Sequence, residues 1–125
     1  MTFNATPRGF YTTKGNTVEQ ACPVLTGAGA DLVGSNCGNG IDTMVELARE
    51  FAAHARTPLA IQSNAGLPEN RDGELHYPES PAEMAAHVGD LMDLGVVIIG
   101  GCCGTGPDHI RAIRAAMDHH RGESV

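Results

Sequence analysis

The sequence lacks long hydrophobic runs and an excess of basic residues, and each absence argues against one class of function. The longest uninterrupted aliphatic run covers only residues 96–99, whereas a membrane-spanning helix needs about 20 apolar residues. The first ten residues, MTFNATPRGF, contain no apolar signal core, so we expect a cytoplasmic protein with no membrane partner. Eight lysines and arginines stand against fifteen aspartates and glutamates. This charge has the wrong sign for binding nucleic acid through its phosphates.

Cysteine is also scarce, with four in 125 residues. The length and a hydrophobic fraction of 42% predict a single domain over residues 1–125 with a core of its own. In an intracellular chain, metal ligands or reactive thiols are commoner than disulfides. Cys22 lies within a predicted helix and is expected to be a small buried apolar residue. Cys37, Cys102 and Cys103 lie instead where predicted strands end.

Strands and helices alternate along the chain. Short apolar runs followed by turn residues predict strands over residues 31–37, 58–64 and 96–100. Apolar residues at helical spacing and capping signals predict helices that begin near Thr17, Ile41, Ser80 and Pro107. Residues 65–79 are predicted to form a long polar loop. Because strands and helices alternate with short connections, we expect parallel βα units.

Three of the cysteines are expected at one edge of this sheet. Cys37 ends the first predicted strand, Asn64 ends the second, and Cys102 with Cys103 ends the third. The carboxyl ends of parallel strands lie on the same side, where sites are built. Three thiolates with a fourth position open match a catalytic zinc site better than a closed structural one. Thiol redox chemistry and small residues that merely fit tight turns remain alternatives at this point.

Three motifs together resemble the homocysteine S-methyltransferase family. They are VGSNCGNG at residues 33–40, QSNAGLP at residues 62–68 and GGCCGTGPDHI at residues 100–110, in the order and spacing of that family. Members are (β/α)8 barrels, and a typical barrel has about 250 residues. The resemblance therefore implies an α/β fold corresponding to the C-terminal half of a barrel, with about three parallel strands, a strand stub at residues 1–3 and four helices. One departure is Gly106, where members more often carry threonine or serine.

The resemblance also implies a chemistry. It implies a zinc-dependent methyltransferase that transfers a methyl group to the thiol of homocysteine and forms methionine, with Cys37, Cys102 and Cys103 as the zinc ligands. Zinc would deprotonate the homocysteine thiol and hold it for attack on the methyl donor. Asn36 and Asn64 are expected either to bind substrate or to satisfy loop backbone. The methyl donor stays open, and a methyl-corrinoid protein is one candidate.

Other polar residues near the motifs are expected to be exposed. We expect His109 to be an exposed polar residue rather than a fourth metal ligand. Glu69, Asp72 and Glu74 are expected to be solvated within the long loop. These expectations confine the candidate site to the three cysteines and the two asparagines.

A half-barrel has unpaired strand edges and an uncovered apolar face. We therefore expect a homodimer or association with an N-terminal half-barrel, and a truncated gene is a third explanation. Two functions from other classes also remain. One is a noncatalytic zinc-binding subunit that needs a partner chain, and the other is a thiol redox protein.

Overall fold

Three parallel strands form the centre of the fold in a computed structural model that describes residues 1–122. In chain order the elements are β1 (Asn4–Thr6), β2 (Gly9–Tyr11), α1 (Val18–Gly27), β3 (Val33–Asn36), α2 (Ile41–His54), β4 (Leu59–Ser63), β5 (Glu69–Arg71), β6 (Glu74–His76), α3 (Pro81–Ala85), α4 (Val88–Asp93), β7 (Val96–Gly101) and α5 (Pro107–His120). The parallel sheet has the order β3, β4, β7, while β1 with β2 and β5 with β6 form separate antiparallel hairpins. Helices connect neighbouring parallel strands, which is the arrangement of a βα barrel.

Capping residues set where the predicted helices begin. The Thr17 hydroxyl accepts the N–H of Gln20, and the Gln20 side chain accepts the N–H of Thr17, which forms the expected capping box of α1. Ser80 caps α3 in the same way, by accepting the N–H of Glu83. The helix predicted from Ser80 is present as two pieces, α3 and α4. Within residues 1–122, no helix is both long and apolar enough to cross a membrane.

Among residues 1–122, the helices cover one face of the parallel sheet and leave the other open. In β4, Leu59 and Ile61 are buried and lie on the helix side, whereas Gln62 on the opposite side is exposed. The buried side is completed by an apolar face of α2, including Met44, Leu47, Ala48 and Phe51. Full burial of a side chain as large as Met44, Leu47 or Phe51 stabilises the fold by about 1.5–3 kcal/mol. Because the strand order is sequential and the helices lie on one side, the structure corresponds to part of a barrel wall.

The N-terminal residues pair with the edge of β3. The backbone nitrogen of Met1 donates to the carbonyl oxygen of Gly34 at 3.3 Å, and the N–H of Asn36 donates to the carbonyl oxygen of Met1 at 3.1 Å. This is the pattern of a parallel pair and forms the expected strand stub. The buried Phe3 ring then packs edge-on against Phe51, with ring centroids 5.5 Å apart.

The segment predicted as a loop over residues 65–79 contains an unexpected hairpin. Strands β5 and β6 pair around a turn in which Asp72 and Gly73 both have positive φ. Asp-Gly is a favoured pair for a two-residue hairpin turn of this kind. The three acidic residues expected to be solvated here, Glu69, Asp72 and Glu74, are all exposed.

Gly34 lies where β3 approaches β4 most closely. A Cβ atom at this position would overlap the backbone carbonyl of Ala60. We predict that Gly34→Ala lowers the free energy of unfolding by about 1–3 kcal/mol, because the two strands must separate to admit the methyl group. Urea unfolding followed by circular dichroism measures this change.

The matched control for this substitution is Gly27→Ala at the end of α1, where an added Cβ meets no atom within 4 Å. The control should keep or slightly raise the stability, since alanine favours helix over glycine. If both substitutions lowered the free energy of unfolding equally, the close contact between β3 and β4 at Gly34 would not be the cause of the loss.

Candidate metal centre

The parallel strands place Cys37 and Cys102 at one edge of the sheet. The N–H of Cys37 donates to the carbonyl oxygen of Gln62 at 3.0 Å, and the N–H of Cys102 donates to the carbonyl oxygen of Ser63 at 2.7 Å. These hydrogen bonds continue the β3–β4 and β4–β7 pairings one residue beyond the strand ends. The backbone positions of both cysteines are therefore fixed by β4.

Two turns direct the sulfur atoms toward one another. Cys37 has a φ of 61°, in the left-handed region that non-glycine residues adopt at a cost of about 1–2 kcal/mol. After β7 the chain leaves the extended conformation, because the N–H and hydroxyl of Thr105 both donate to the carbonyl oxygen of Cys102, at 3.2 and 2.8 Å. The neighbouring residues Cys102 and Cys103 therefore contribute to one cluster, although they would lie on opposite faces of a strand.

The Sγ atoms of Cys37, Cys102 and Cys103 all lie within 4.8 Å of one another. The Sγ atoms of Cys37 and Cys103 are 3.7 Å apart. Cys103 is exposed and the other two are partly exposed, so a small molecule can reach the cluster from solvent. Cys22 is 1% exposed and belongs to the hydrophobic core, which confirms the expectation that it is a buried apolar residue. We refer to the three clustered cysteines as the thiol cluster.

The surroundings of the thiol cluster shift the pKa values of Cys37 and Cys103 in opposite directions. The backbone N–H of Gly38 is the main cause of a lowered pKa at Cys37, because it stabilises the thiolate. The pKa of Cys103 is raised, first by a hydrogen bond with Cys37 and then by one with Cys102, because both favour the protonated thiol. Repulsion from a negative charge on Cys102 or Cys37 raises this pKa further. A cation among the three sulfur atoms would offset this repulsion.

Asn64 holds the loop that carries Cys103. Asn64 is 4% exposed, and its Oδ1 accepts the backbone N–H of Cys103 at 3.1 Å. Its side chain also contributes to the lowered pKa of Cys37, as the smallest of the causes. Asn64 thus satisfies loop backbone, one of its two expected roles. Asn36 lies at the end of β3, directly before the thiol cluster, and is partly buried.

His109 is not the exposed residue that the sequence predicts. It is partly buried, and its Nδ1 accepts the N–H of Gly106 at 3.2 Å. Its Nε2 lies 2.9 Å from the carbonyl oxygen of Glu79, so this nitrogen carries the proton and donates. The expectation of exposure is wrong because the ring bonds to Glu79, 30 positions away in sequence, and spacing within one helix does not reveal such a contact.

Tyr77 lies between β6 and α3 and is partly buried. In the structure its ring lies against Gly104, where a Cβ atom would overlap it. Gly104 also has a φ of 81°, which favours glycine. The ring of Tyr77 therefore packs on the turn that follows the thiol cluster, and only a glycine at position 104 permits this contact.

Comparison with known proteins shows the family to which the chain belongs. The sequence model of the homocysteine S-methyltransferase family matches residues 1–117. Methionine synthase of Mycobacterium leprae (strain TN) is 39% identical over 104 residues, and that of Mycobacterium tuberculosis (strain ATCC 25618 / H37Rv) is 38% identical over 104 residues. Each match covers 82% of this chain but only 9% of the relative. The chain therefore spans a small part of the length of these enzymes.

Solved structures show the same relationship at the level of the fold. The metallated form of the homocysteine methyltransferase MmuM from Escherichia coli matches with a TM-score of 0.64 and 22% identity, over 81% of this chain and 30% of that chain. Its apo form matches with a TM-score of 0.65 and 21% identity, over 83% of this chain and 34% of that chain. These similarities place the fold of the chain within part of the fold of that methyltransferase.

The hydrogen bond from Cys103 to Asn64 gives a test of the local structure. We predict that Asn64→Ala lowers the free energy of unfolding by about 1–3 kcal/mol, because a partly buried backbone N–H loses its acceptor. Chemical denaturation followed by circular dichroism measures the loss.

Asn70→Ala is the matched control, because the Asn70 side chain also accepts a backbone N–H, that of Gly73, but in the exposed hairpin. The control should change stability by less than about 0.5 kcal/mol. A loss in the control as large as that in Asn64→Ala would contradict the structural role of Asn64.

Proposed function

Because the chain belongs to the homocysteine S-methyltransferase family, we propose that it carries the metal centre of a zinc-dependent methyltransferase. In this proposal the enzyme transfers a methyl group to the thiol of homocysteine and forms methionine. The observation that carries the proposal is the convergence of three cysteine sulfur atoms within 4.8 Å at the carboxyl edge of the sheet. The activity of the whole enzyme is part of the proposal, since the chain spans a fraction of its relatives.

The donor set of the thiol cluster fits zinc. Zinc favours thiolate ligands with Zn–S bonds of about 2.3 Å, and tetrahedral geometry then holds two sulfur atoms about 3.8 Å apart. The Sγ atoms of Cys37 and Cys103 are 3.7 Å apart. Three protein ligands leave one tetrahedral position for a substrate, as in catalytic zinc sites. The match to the homocysteine S-methyltransferase family over residues 1–117 supports homocysteine as that substrate.

Zinc bound here would lower the pKa of the homocysteine thiol and keep the sulfur as a nucleophilic thiolate. The chain's own residues have the task of positioning. β4 fixes the backbone of Cys37 and Cys102, and Asn64 fixes that of Cys103. Asn36 lies beside the thiol cluster, and we propose that it contacts the bound amino acid.

A thiol redox function is the competing proposal. It needs two sulfur atoms that form and release a disulfide, and Cys37 with Cys103 is the closest pair given by the structure. It leaves the approach of Cys102 to the same point without a role. The convergence of three thiols rather than two therefore favours a metal centre.

Metal binding to purified, reduced protein tests the proposal. We expect about one zinc per chain, and Cys103→Ser should weaken zinc binding more than about 100-fold, because loss of a group that only supports a ligand already costs about 10–100-fold. Competition with a chromophoric chelator measures the affinity.

Cys22→Ala is the matched control for the ligand variant, because Cys22 is a buried core residue outside the thiol cluster. This control should bind zinc as the unaltered protein does. Equal zinc affinity in all three proteins would contradict the metal centre, and a reversible change in thiol content without metal would favour redox chemistry.

We propose that the open face of the sheet packs against the N-terminal half of a barrel of the same family. Val97 is 54% exposed and Ile98 is 47% exposed on β7, at an edge of the three-stranded sheet. The solved methyltransferase is about three times as long as the segment that matches this chain. Additional barrel strands paired with β7 would cover both side chains and satisfy its free edge.

Sedimentation velocity of the 125-residue chain tests this covering. At micromolar concentration we expect self-association through the apolar edge, relieved when an N-terminal half-barrel of the family is added. A stable monomer that does not bind the added half-barrel would contradict the proposal. A stable dimer that does not bind the half-barrel would show that a second copy of the chain covers the open face of the sheet instead.

A further inference from the structure

Glu79 makes three hydrogen bonds to three different parts of the chain. Its backbone N–H donates to the carbonyl oxygen of Ala65 at 3.0 Å. Its carboxylate Oε1 accepts the N–H of Ile41 at 2.9 Å. Its carbonyl oxygen accepts the Nε2 proton of His109, over 2.9 Å. The side chain and both backbone polar groups of one residue are thus engaged by distant segments.

Each of these partners adjoins a loop of the metal centre. Ile41 directly follows the loop 37–40 that begins with Cys37. Ala65 directly follows Asn64, and its N–H donates to the carbonyl oxygen of Cys103 at 2.9 Å. His109 holds the N–H of Gly106, at the end of the turn that begins at Cys102. Glu79 is therefore linked to the loop of Cys37 through Ile41, and to the loop of Cys102 and Cys103 through Ala65 and through His109.

The space around the Glu79 carboxylate is shaped by two glycines. A Cβ atom at Gly40 would overlap its Oε2, and a Cβ atom at Gly66 would lie 3.1 Å from the same oxygen. Both glycines belong to the loops that Glu79 joins. The absence of their side chains lets the carboxylate reach the start of α2, where a negative charge is favourable. Burial raises the pKa of Glu79, and the N–H of Ile41 partly offsets this.

We infer that Glu79 is a positioning residue that holds the three loops of the thiol cluster in register, so that Cys37, Cys102 and Cys103 meet at one point. This inference rests on the metal centre of the proposed function. If the inference holds, loss of the Glu79 side chain changes the positions of the sulfur atoms as well as the stability of the protein. A residue that only caps α2 would change the stability of the protein and leave the meeting of the thiols unchanged.

Two readouts on the full chain separate these roles. In reduced, metal-free protein, the two-armed thiol reagent dibromobimane becomes fluorescent only when it bridges two neighbouring thiols. In the same protein, Co2+ gives thiolate-to-cobalt absorption whose titration reports metal affinity and the number of sulfur ligands. Both are measured with Cys22→Ala in every protein, so that only the thiol cluster reacts. Urea unfolding is measured in parallel.

We expect Glu79→Ala to reduce the bridged fraction by at least half and to weaken Co2+ binding by about 10–100-fold, the usual effect of losing a residue that supports a metal ligand. Glu79→Gln keeps an oxygen acceptor for Ile41 and should restore both values to within about threefold. Glu83→Ala is the matched control, because Glu83 lines the same cleft as Glu79 without bonding to the loops. It should change neither value.

Glu79→Asp replaces Glu79→Ala if the alanine variant does not fold. It keeps the charge and both backbone hydrogen bonds but shortens the side chain. We therefore expect smaller losses of the bridged fraction and of Co2+ affinity. Folded Glu79→Ala or Glu79→Asp protein with unchanged bridging and unchanged Co2+ affinity would overturn the inference. Failure of the unaltered protein to bridge its thiols would overturn it as well.

Failure of the metal proposal looks different. The unaltered protein would then bridge its thiols yet bind no Co2+, and the bridged fractions of the Glu79 variants would still decide the role of Glu79. Loss of bridging in Glu79→Ala, with rescue in Glu79→Gln, would support the positioning role even in that case.

Discussion

The parallel pairing of β3, β4 and β7 is the constraint on which the rest of the structure depends. Parallel strands place their carboxyl ends at one edge of the sheet. Here the backbone hydrogen bonds continue past the strand ends, from Cys37 to Gln62 and from Cys102 to Ser63. Two cysteines that are 65 positions apart in sequence are thus held by adjacent residues of the central strand. The strand register thus places two of the three cysteines, and the loop contacts of Asn64 and Glu79 act on this arrangement.

The structure separates two kinds of cysteine by their surroundings. Cys22 is buried among apolar side chains, where burial raises its pKa and keeps the thiol neutral. The thiol cluster instead lies at an accessible edge, where the backbone N–H of Gly38 stabilises a thiolate at Cys37. The close approach of three groups that repel one another when ionised is unfavourable without a cation. A bound metal gives this arrangement a physical reason that a packing role does not.

Much of this organisation could be predicted from the sequence. Apolar spacing and capping residues predicted the parallel strands and the helices, and strand topology then predicted that the cysteines share one edge. The hairpins were missed because β1, β2, β5 and β6 have three residues each and are largely exposed, so they carry little hydrophobic pattern. The contacts of Glu79 and His109 were missed for another reason. They join residues 30 and 38 positions apart through polar groups, and neither periodicity nor a local motif encodes such a pair.

The central claim is that three cysteines hold a zinc ion and leave one position for homocysteine. X-ray absorption at the zinc edge, on zinc-loaded protein before and after addition of homocysteine, tests it most directly. The account predicts three sulfur neighbours at about 2.3 Å together with one lighter ligand, and four sulfur neighbours once homocysteine is present. Fewer than three sulfur neighbours would contradict the three-thiolate centre, and a count that stays at three after homocysteine is added would contradict binding of the substrate through its thiol.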